Sequence, residues 1–434
     1  MKTTRRQFTG SAAAIAAAIA STMPAAQAAA GSFSAPAVIS RQDGPVEVVF
    51  SNIWGTPPGG DQPENEHPVE QLIDAFNEQS TDVKVTGRTD SGSYYEGLQK
   101  LQAELAAGNP PALCITPWNS INWADEGLGI INLEDVAGDE VAEVFSVLRE
   151  QVIPLVQVDG LTKGVPFAFS CPVIYYNADI LAEAGVDPET MFSTWESFGQ
   201  EALKVQEVLG GNPVFGFLGD MQWTAQSIIQ CNGGQVMNED LEPVMNSPEA
   251  IEAMQMIADL DSQGLYDRST AEERRASFLA GSTACWIGSI ASLGGLRNNA
   301  SFDLQTSTFP TFGEKPRQMS SGGSFIGMYA RDEEQQQAAW QFLKFALSEP
   351  GYEIWMKTGY LNATTYDLPM LEGQEAAYTQ LEEGLTRETP WPGARGGELL
   401  EIWQTYVARI WANDISAEEG CNQAVEEINA VIGN

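Results

Sequence analysis

The chain has 434 residues and carries 59 acids against 22 lysines and arginines, a net charge of −37 with a single histidine and five cysteines. A field of that sign repels nucleic acid and anionic lipid, which excludes both as partners on electrostatic grounds. With one histidine and no Cys-x-x-Cys spacing, zinc sites and histidine-dependent catalytic triads lack ligands and bases.

The first residues read as an export leader, not as part of a fold. Lys2, Arg5 and Arg6 form a basic start, an alanine-rich apolar run follows, and Ala26-Gln27-Ala28 has the small residues of a cleavage site. The pair Arg5-Arg6 followed by Gln7-Phe8 is similar to a twin-arginine export signal, placing residues 1–28 outside the mature protein. The apolar run is too short for a spanning helix, which needs about 20 apolar residues. No cysteine follows it, so a lipid anchor has no attachment point. The mature chain is then free in the periplasm, with a charge of −40 once the three leader cations are gone. About 400 residues exceed what one core organises, so two lobes are expected.

From Val46 to Trp118 the pattern is β-α-β-α-β. Val46–Phe50 alternates as a strand, and Val69, Leu72, Ile73 and Phe76 repeat at helical spacing. Val83–Val85 is a second strand, and Leu98, Leu101 and Leu105 mark a second helix. Gly108-Asn109-Pro110-Pro111 stops that helix before a strand over Ala112–Thr116. This alternation predicts an α/β fold with a mostly parallel sheet, whose ligands sit beyond the carboxyl ends of the strands. Those ends carry Ser51, Asn52 and Trp54, then Tyr94 and Tyr95, then Trp118 and Asn119.

The run Pro166–Asn177, PFAFSCPVIYYN, reads as a buried strand where the chain first crosses between lobes. A second α/β half follows. It has helices over Asn177–Gly185, from Thr194-Trp195-Glu196, from Trp223 to about Cys231, and from Ser247 with Ile251, Met254, Ile257 and Leu260 on one face. Strands fall at Phe215–Phe217 and Ala284–Ile287. Pro310–Pro316 is a second crossover, Ser324–Ala330 pairs with the first lobe, and a helix spans Gln337–Leu347. Gly359–Ala363 is a third crossover, before helices at Ala376–Leu385 and Leu399–Trp411.

Five stretches carry a family resemblance: Gly108-Asn109-Pro110-Pro111, PFAFSCPVIYYN, Asp187-Pro188 with Thr194-Trp195, Phe278-Leu279-Ala280-Gly281, and Lys357-Thr358-Gly359-Tyr360-Leu361. In that order, from about residue 45 to the C-terminus, they resemble family 1 extracellular solute-binding proteins of ABC importers. The resemblance implies a two-lobe periplasmic-binding-protein fold of type II, with three crossovers and a ligand cleft between lobes that closes by hinge motion. It implies a first lobe of residues 29–168 with 312–361 and a second of 169–311 with 362–434. It also implies a monomer that uses no cofactor and passes its solute to the transmembrane subunits of an ABC permease.

The subgroup most similar is the sn-glycerol-3-phosphate-binding proteins. Ser170, Ser289, Gly323, Tyr360 and Arg395 match its phosphate contacts, and Tyr94 and Trp223 match aromatic cleft positions. Hydroxyls, a glycine N–H and a guanidinium fork suit an oxyanion. Two positions depart: Trp118 stands where the family has a glutamate, and Asp220 where it has a tryptophan. A sugar fits that change, with Trp118 and Trp223 stacking on an apolar face and Asp220 accepting from hydroxyls. Against these readings, both tryptophans are also ordinary core residues, Arg395 an ordinary surface ion pair, and Ser292 competes with Ser289 for one role. The alternative to a carbohydrate or glycerophosphate-binding protein is an exported carbohydrate-active enzyme with paired carboxylates, but no nucleophile elbow, P-loop or His-Glu-x-x-His is present.

Overall fold

A computed structural model describes residues 44–54, 67–89, 91–219 and 221–433. The leader and Asp220 lie outside the described residues. In chain order the strands are β1 (Val46–Asn52), β2 (Val83–Thr89), β3 (Leu113–Pro117), the short hairpin β4 (Gln157–Val158) and β5 (Leu161–Thr162), β6 (Gly164–Ser170) and β7 (Pro172–Asn177). There follow β8 (Phe215–Phe217), β9 (Cys285–Ser289), β10 (Leu304–Ser307), β11 (Met319–Ser320), β12 (Gly322–Met328) and β13 (Leu385–Thr386).

Two sheets organise the molecule. The first has the order β2-β1-β3-β12-β6, with β1 parallel to β2 and β3, and β12 antiparallel to β3 and β6. The second has the order β10-β7-β9-β8, with β7 antiparallel to both neighbours and β8 parallel to β9. The buried apolar residues form two clusters, and the second sheet contributes to both, with Val173, Tyr175 and Trp286 in the cluster of the first sheet. Val48, Phe50, Leu113 and Ile326 belong to one, and Ile174, Phe215, Ile287 and Trp403 to the other.

Local chemistry explains the first elements. The helix Pro68–Gln79 buries Val69, Leu72, Ile73 and Phe76, each contributing roughly 1.5–3 kcal/mol by leaving water. His67 caps it by accepting from the Val69 N–H, while Glu70 reaches back to the His67 N–H. The helix Tyr94–Ala107 ends at Gly108 in the left-handed region, φ 81°, and Pro110 and Pro111 prevent its continuation. All five residues of β3 are buried, as a central strand covered on both faces requires.

The PFAFSCPVIYYN run is two strands, not one. Ser170 ends β6 in the first sheet, Pro172 opens β7 in the second, and Cys171 alone joins them. The proline has no N–H for a ladder, so the change of sheet falls where a ladder bond would be missing anyway. The return runs through the expected Pro310–Pro316, which lies between β10 of the second sheet and β12 of the first, but the change of sheet comes only after that segment. Pro310–Pro316 does not enter the first sheet: Thr311 accepts from the Trp195 N–H beside the start of the Trp195–Val208 helix. The chain rejoins the first sheet at Gly322, directly after β11. At the third passage, Leu361 donates its N–H to the Phe169 carbonyl at 2.7 Å. Sequence periodicity did not mark β10, whose LQTS composition is polar, nor the C-terminal helix Ala417–Ile432.

Candidate functional site

The two sheets present their connecting segments to one cavity of about 280 Å³. One wall is aromatic. Trp54, just past β1, donates its indole N–H to the Tyr360 hydroxyl at 3.2 Å and meets the Tyr94 ring edge-on at 6.5 Å. Behind them Trp355 stacks on Tyr360 at 5.2 Å and on Phe167 at 4.0 Å, so the wall is backed by rings rather than by flexible chains. Tyr94 shares a hydrogen bond of 3.2 Å with Ser324. Opposite stands Trp223, on the helix Met221–Cys231, donating its indole N–H to the Ser321 carbonyl at 3.1 Å. Its ring lies over Gly322, where a methyl would stand 2.2 Å from the indole.

The polar lining is hydroxyl and amide. Ser170 ends β6, and Ser289 ends β9 and caps the next turn by accepting from the Ala291 N–H at 3.2 Å. Tyr175 holds that corner by donating to the Ser289 carbonyl at 2.7 Å. Ser292 lines the same cavity, so both serines weighed for one role face it. Asn119 and Gln222 also line it, with Glu388, whose Oε1 accepts from Asn119 Nδ2 at 2.7 Å. His67 and Thr358 line it too; burial lowers the pKa of His67 to about 4, against a smaller raising effect from Glu70. The ring is therefore neutral near pH 7, in keeping with Nδ1 accepting from Val69.

Of the residues singled out in the sequence, Tyr94, Ser170, Trp223, Ser289, Gly323 and Tyr360 come together around this cavity. Two do not. After β3 the backbone makes a three-residue turn, Trp118–Ser120, that leaves Asn119 at the cavity and Trp118 in the core, 1% exposed and 6.0 Å from Phe325. Its ring is not available for stacking on a ligand in this arrangement. Arg395 is also displaced from its expected place. It precedes the helix Gly396–Trp411, and Glu398 in that helix's first turn takes its Nε and Nη2, each at 2.8 Å. The fork is satisfied locally in a separate surface hollow that shares Tyr95 with the cavity. Trp54, Asn119 and Tyr95 were visible as strand-end residues; Gln222 was not singled out although it adjoins Trp223, and Glu388 sits in a stretch with no motif around it.

A half-open, ring-walled cavity between two α/β sheets suits a solute rather than a flat surface partner. The sequence matches the family profile of bacterial extracellular solute-binding proteins over residues 71–370, and the chain belongs to that family. It is 25% identical over 403 residues to the sn-glycerol-3-phosphate-binding periplasmic protein UgpB of Pectobacterium atrosepticum, covering 84% of this chain and 88% of that one. Two solved structures share its fold. An ABC substrate-binding protein from Listeria monocytogenes in complex with cycloalternan superposes with a TM-score of 0.76 at 20% identity, over 90% of this chain and 99% of that one. UgpB from Mycobacterium tuberculosis in complex with glycerophosphocholine gives 0.74 at 19% identity, with the same coverage. Among the described residues no helix is long and apolar enough to cross a membrane.

Proposed function

We propose that this chain is the substrate-binding component of an ABC importer, and that it captures a neutral, hydroxyl-rich solute, a sugar or a polyol, in the cavity between its lobes. The lining carries the reading: aromatic rings, serine hydroxyls and amides surround the space, and among the described lining residues there is no lysine or arginine while Glu388 supplies a carboxyl group. Rings suit the apolar faces of a sugar, and alternating donors and acceptors suit its hydroxyls. A phosphate would meet that carboxyl without a guanidinium to balance it, since Arg395 is engaged with Glu398 in the neighbouring hollow. A cavity of about 280 Å³ sits near the lower bound of roughly 300 Å³ for ligand sites, which favours a small sugar or polyol over a long oligosaccharide.

The binding reading is preferred to hydrolysis because Glu388 is the one carboxyl among the described lining residues, whereas acid–base cleavage of a glycoside uses two. In this reading the mature protein works in the periplasm as a monomer, closes around its solute and presents the closed form to membrane-spanning permease subunits. The change of sheet at Cys171 and the return at Gly322 support two lobes, divided near but not at the expected bounds of 29–168 with 312–361 and 169–311 with 362–434.

Thermal shift tests it, with ribitol, D-tagatose and maltose as neutral probes and glycerol 3-phosphate as the anionic one. The expected outcome is stabilisation by a neutral probe, with no product formed on long incubation, and the same shift in Arg395→Ala. Stabilisation by glycerol 3-phosphate alone, abolished in Arg395→Ala, would overturn the neutral-solute reading.

A further inference from the structure

The chain passes between the two sheets three times, and one helix reaches all three passages. It is Glu375–Gly384, which lies against β7 and β10 of the second sheet. Two of its glutamines, Gln374 at its start and Gln380 within it, are 0% and 1% exposed. The Gln380 amide serves two passages at once. At the first, its Nε2 donates to the Pro172 carbonyl at 2.9 Å and to Cys171 Sγ at 3.2 Å. At the second, where the chain has just left β10, its Oε1 accepts from the Phe309 N–H at 2.7 Å. Gln374 holds the third passage: its Nε2 donates to the carbonyls of Gly359 at 2.7 Å and Tyr360 at 3.1 Å, while its Oε1 accepts from the Leu371 N–H at 2.8 Å. Tyr378, between the two glutamines, adds a bond from the Asn362 N–H to its hydroxyl at 3.3 Å.

We infer that Gln374 and Gln380 are positioning residues for solute capture: two buried amides on one helix tie the three passages into a single hinge, and so hold Ser170 and Tyr360 at a fixed spacing across the cavity. The inference rests on the reading that the cavity takes up its solute by closure. Both cavity residues stand at the tied points, since Ser170 directly precedes Cys171 and the Tyr360 carbonyl is itself bonded. A glutamine amide carries donors and an acceptor together, so one side chain satisfies a carbonyl of one passage and an N–H of another, which neither a hydroxyl nor a carboxylate of that reach does. Away from water, those backbone groups have no substitute partner, and the bonds are not exchanged for solvent. Passages fastened to a common helix move together. That confines the ligand-free protein to a narrow range of angles between the sheets, and a cavity held near its binding geometry loses less freedom when a solute arrives.

The test measures the distance between spin labels on Glu78→Cys and Glu207→Cys, two exposed helix positions on either side of the cavity, in a chain whose own thiols are all buried. Gln380→Met and Gln374→Met keep length and burial but lose the bonds. In ligand-free protein each should broaden the distance distribution relative to the unsubstituted labelled chain. In calorimetric titration with ribitol, D-tagatose, maltose and glycerol 3-phosphate, each should weaken whichever probe the wild type binds by about 10-fold. Ile428→Ala, a core change in the C-terminal helix away from the passages, should lower the melting temperature and leave both readouts unchanged. Gln variants that behave like Ile428→Ala, less stable but with an unchanged distribution or an unchanged affinity, overturn the inference. A broadened distribution with glycerol 3-phosphate as the one probe bound supports the inference and overturns the neutral-solute reading. With no probe bound, the ligand-free distribution decides. If Gln380→Met does not fold, Gln374→Met, which touches the third passage alone, carries the same expectations; failure of both to fold makes the amides structural and overturns the inference.

Discussion

Gly323 lines the cavity with φ at 120°, a conformation that residues with a side chain rarely adopt, and a methyl on its Cα would stand 1.9 Å from the Ala168 carbonyl oxygen. The crowding comes from backbone, which cannot yield as a side chain can. Gly323→Ala should therefore lose about 3 kcal/mol or more of stability in urea unfolding, together with ligand binding; a variant as stable as wild type would show that β12 relaxes freely there. His67 makes a prediction about pH. Its pKa is about 4 in the folded protein and 6.5 in an unfolded chain, because burial disfavours the charged ring. The unfolded state thus takes up the proton first, and stability falls as pH drops from 6.5 toward 4 while being unaffected by this group above 6.5. His67→Ser keeps a capping oxygen for the helix and should flatten that part of the profile relative to wild type. Superimposable profiles between pH 6.5 and 4 would remove His67 from the account.

The helix Met221–Cys231 shows what an element can do that its residues cannot do singly. Gln222, Gln226 and Gln230 recur every four positions, which places them on one face. The first lines the cavity, and the others hold Thr389 and Thr386, so one stripe carries both a wall of the site and the fastening of the Glu388 segment. Gln226→Leu should cost about 1–3 kcal/mol and weaken ligand binding without touching the ligand, as unfolding and titration together would show; unchanged affinity would mean the segment keeps its place unaided. This is also where sequence reading ended. Val48 and Phe50 in β1, and the four apolar residues of the helix Pro68–Gln79, announced their elements because period and burial coincide. The strand ends they set up placed Tyr94 and Asn119 at the cavity. Glu388 lies in an irregular segment held by side-chain bonds from a helix more than 150 residues earlier, a relation that periodicity cannot express. Arg395 stands away from the cavity for a related reason: its glycine-rich setting looked flexible, whereas Gly396 opens a helix and brings Glu398 within reach one turn on. Trp118 was placed at the correct strand end, but the tight turn there sent it inward and its neighbour outward.

Across the whole molecule, two cores are joined by short segments, and residues that line the cavity stand at or beside those joints: Ser170 before Cys171, Gly323 after Gly322, and Tyr360 next to Leu361. A solute held by all three feels any change in the angle between the sheets. The same division of the chain distributes the cysteines. All five are buried and none is joined in a disulfide, Cys114 and Cys171 in one core and Cys231, Cys285 and Cys421 in the other. Burial pushes Cys171, Cys231 and Cys421 up to about 12 and raises Cys285 as well, so these four hold almost no reactive thiolate at neutral pH. A maleimide reagent should label none of them in the native protein and all five in denaturant; rapid native labelling of any one would show that its core opens. An odd number of thiols also sets the order of events in making the protein. A chain that met an oxidising compartment while still unfolded would offer five partners for cross-linking and always leave one over for a neighbouring chain. Folding removes that hazard, because once both cores are packed all five thiols are buried away from any neighbouring chain.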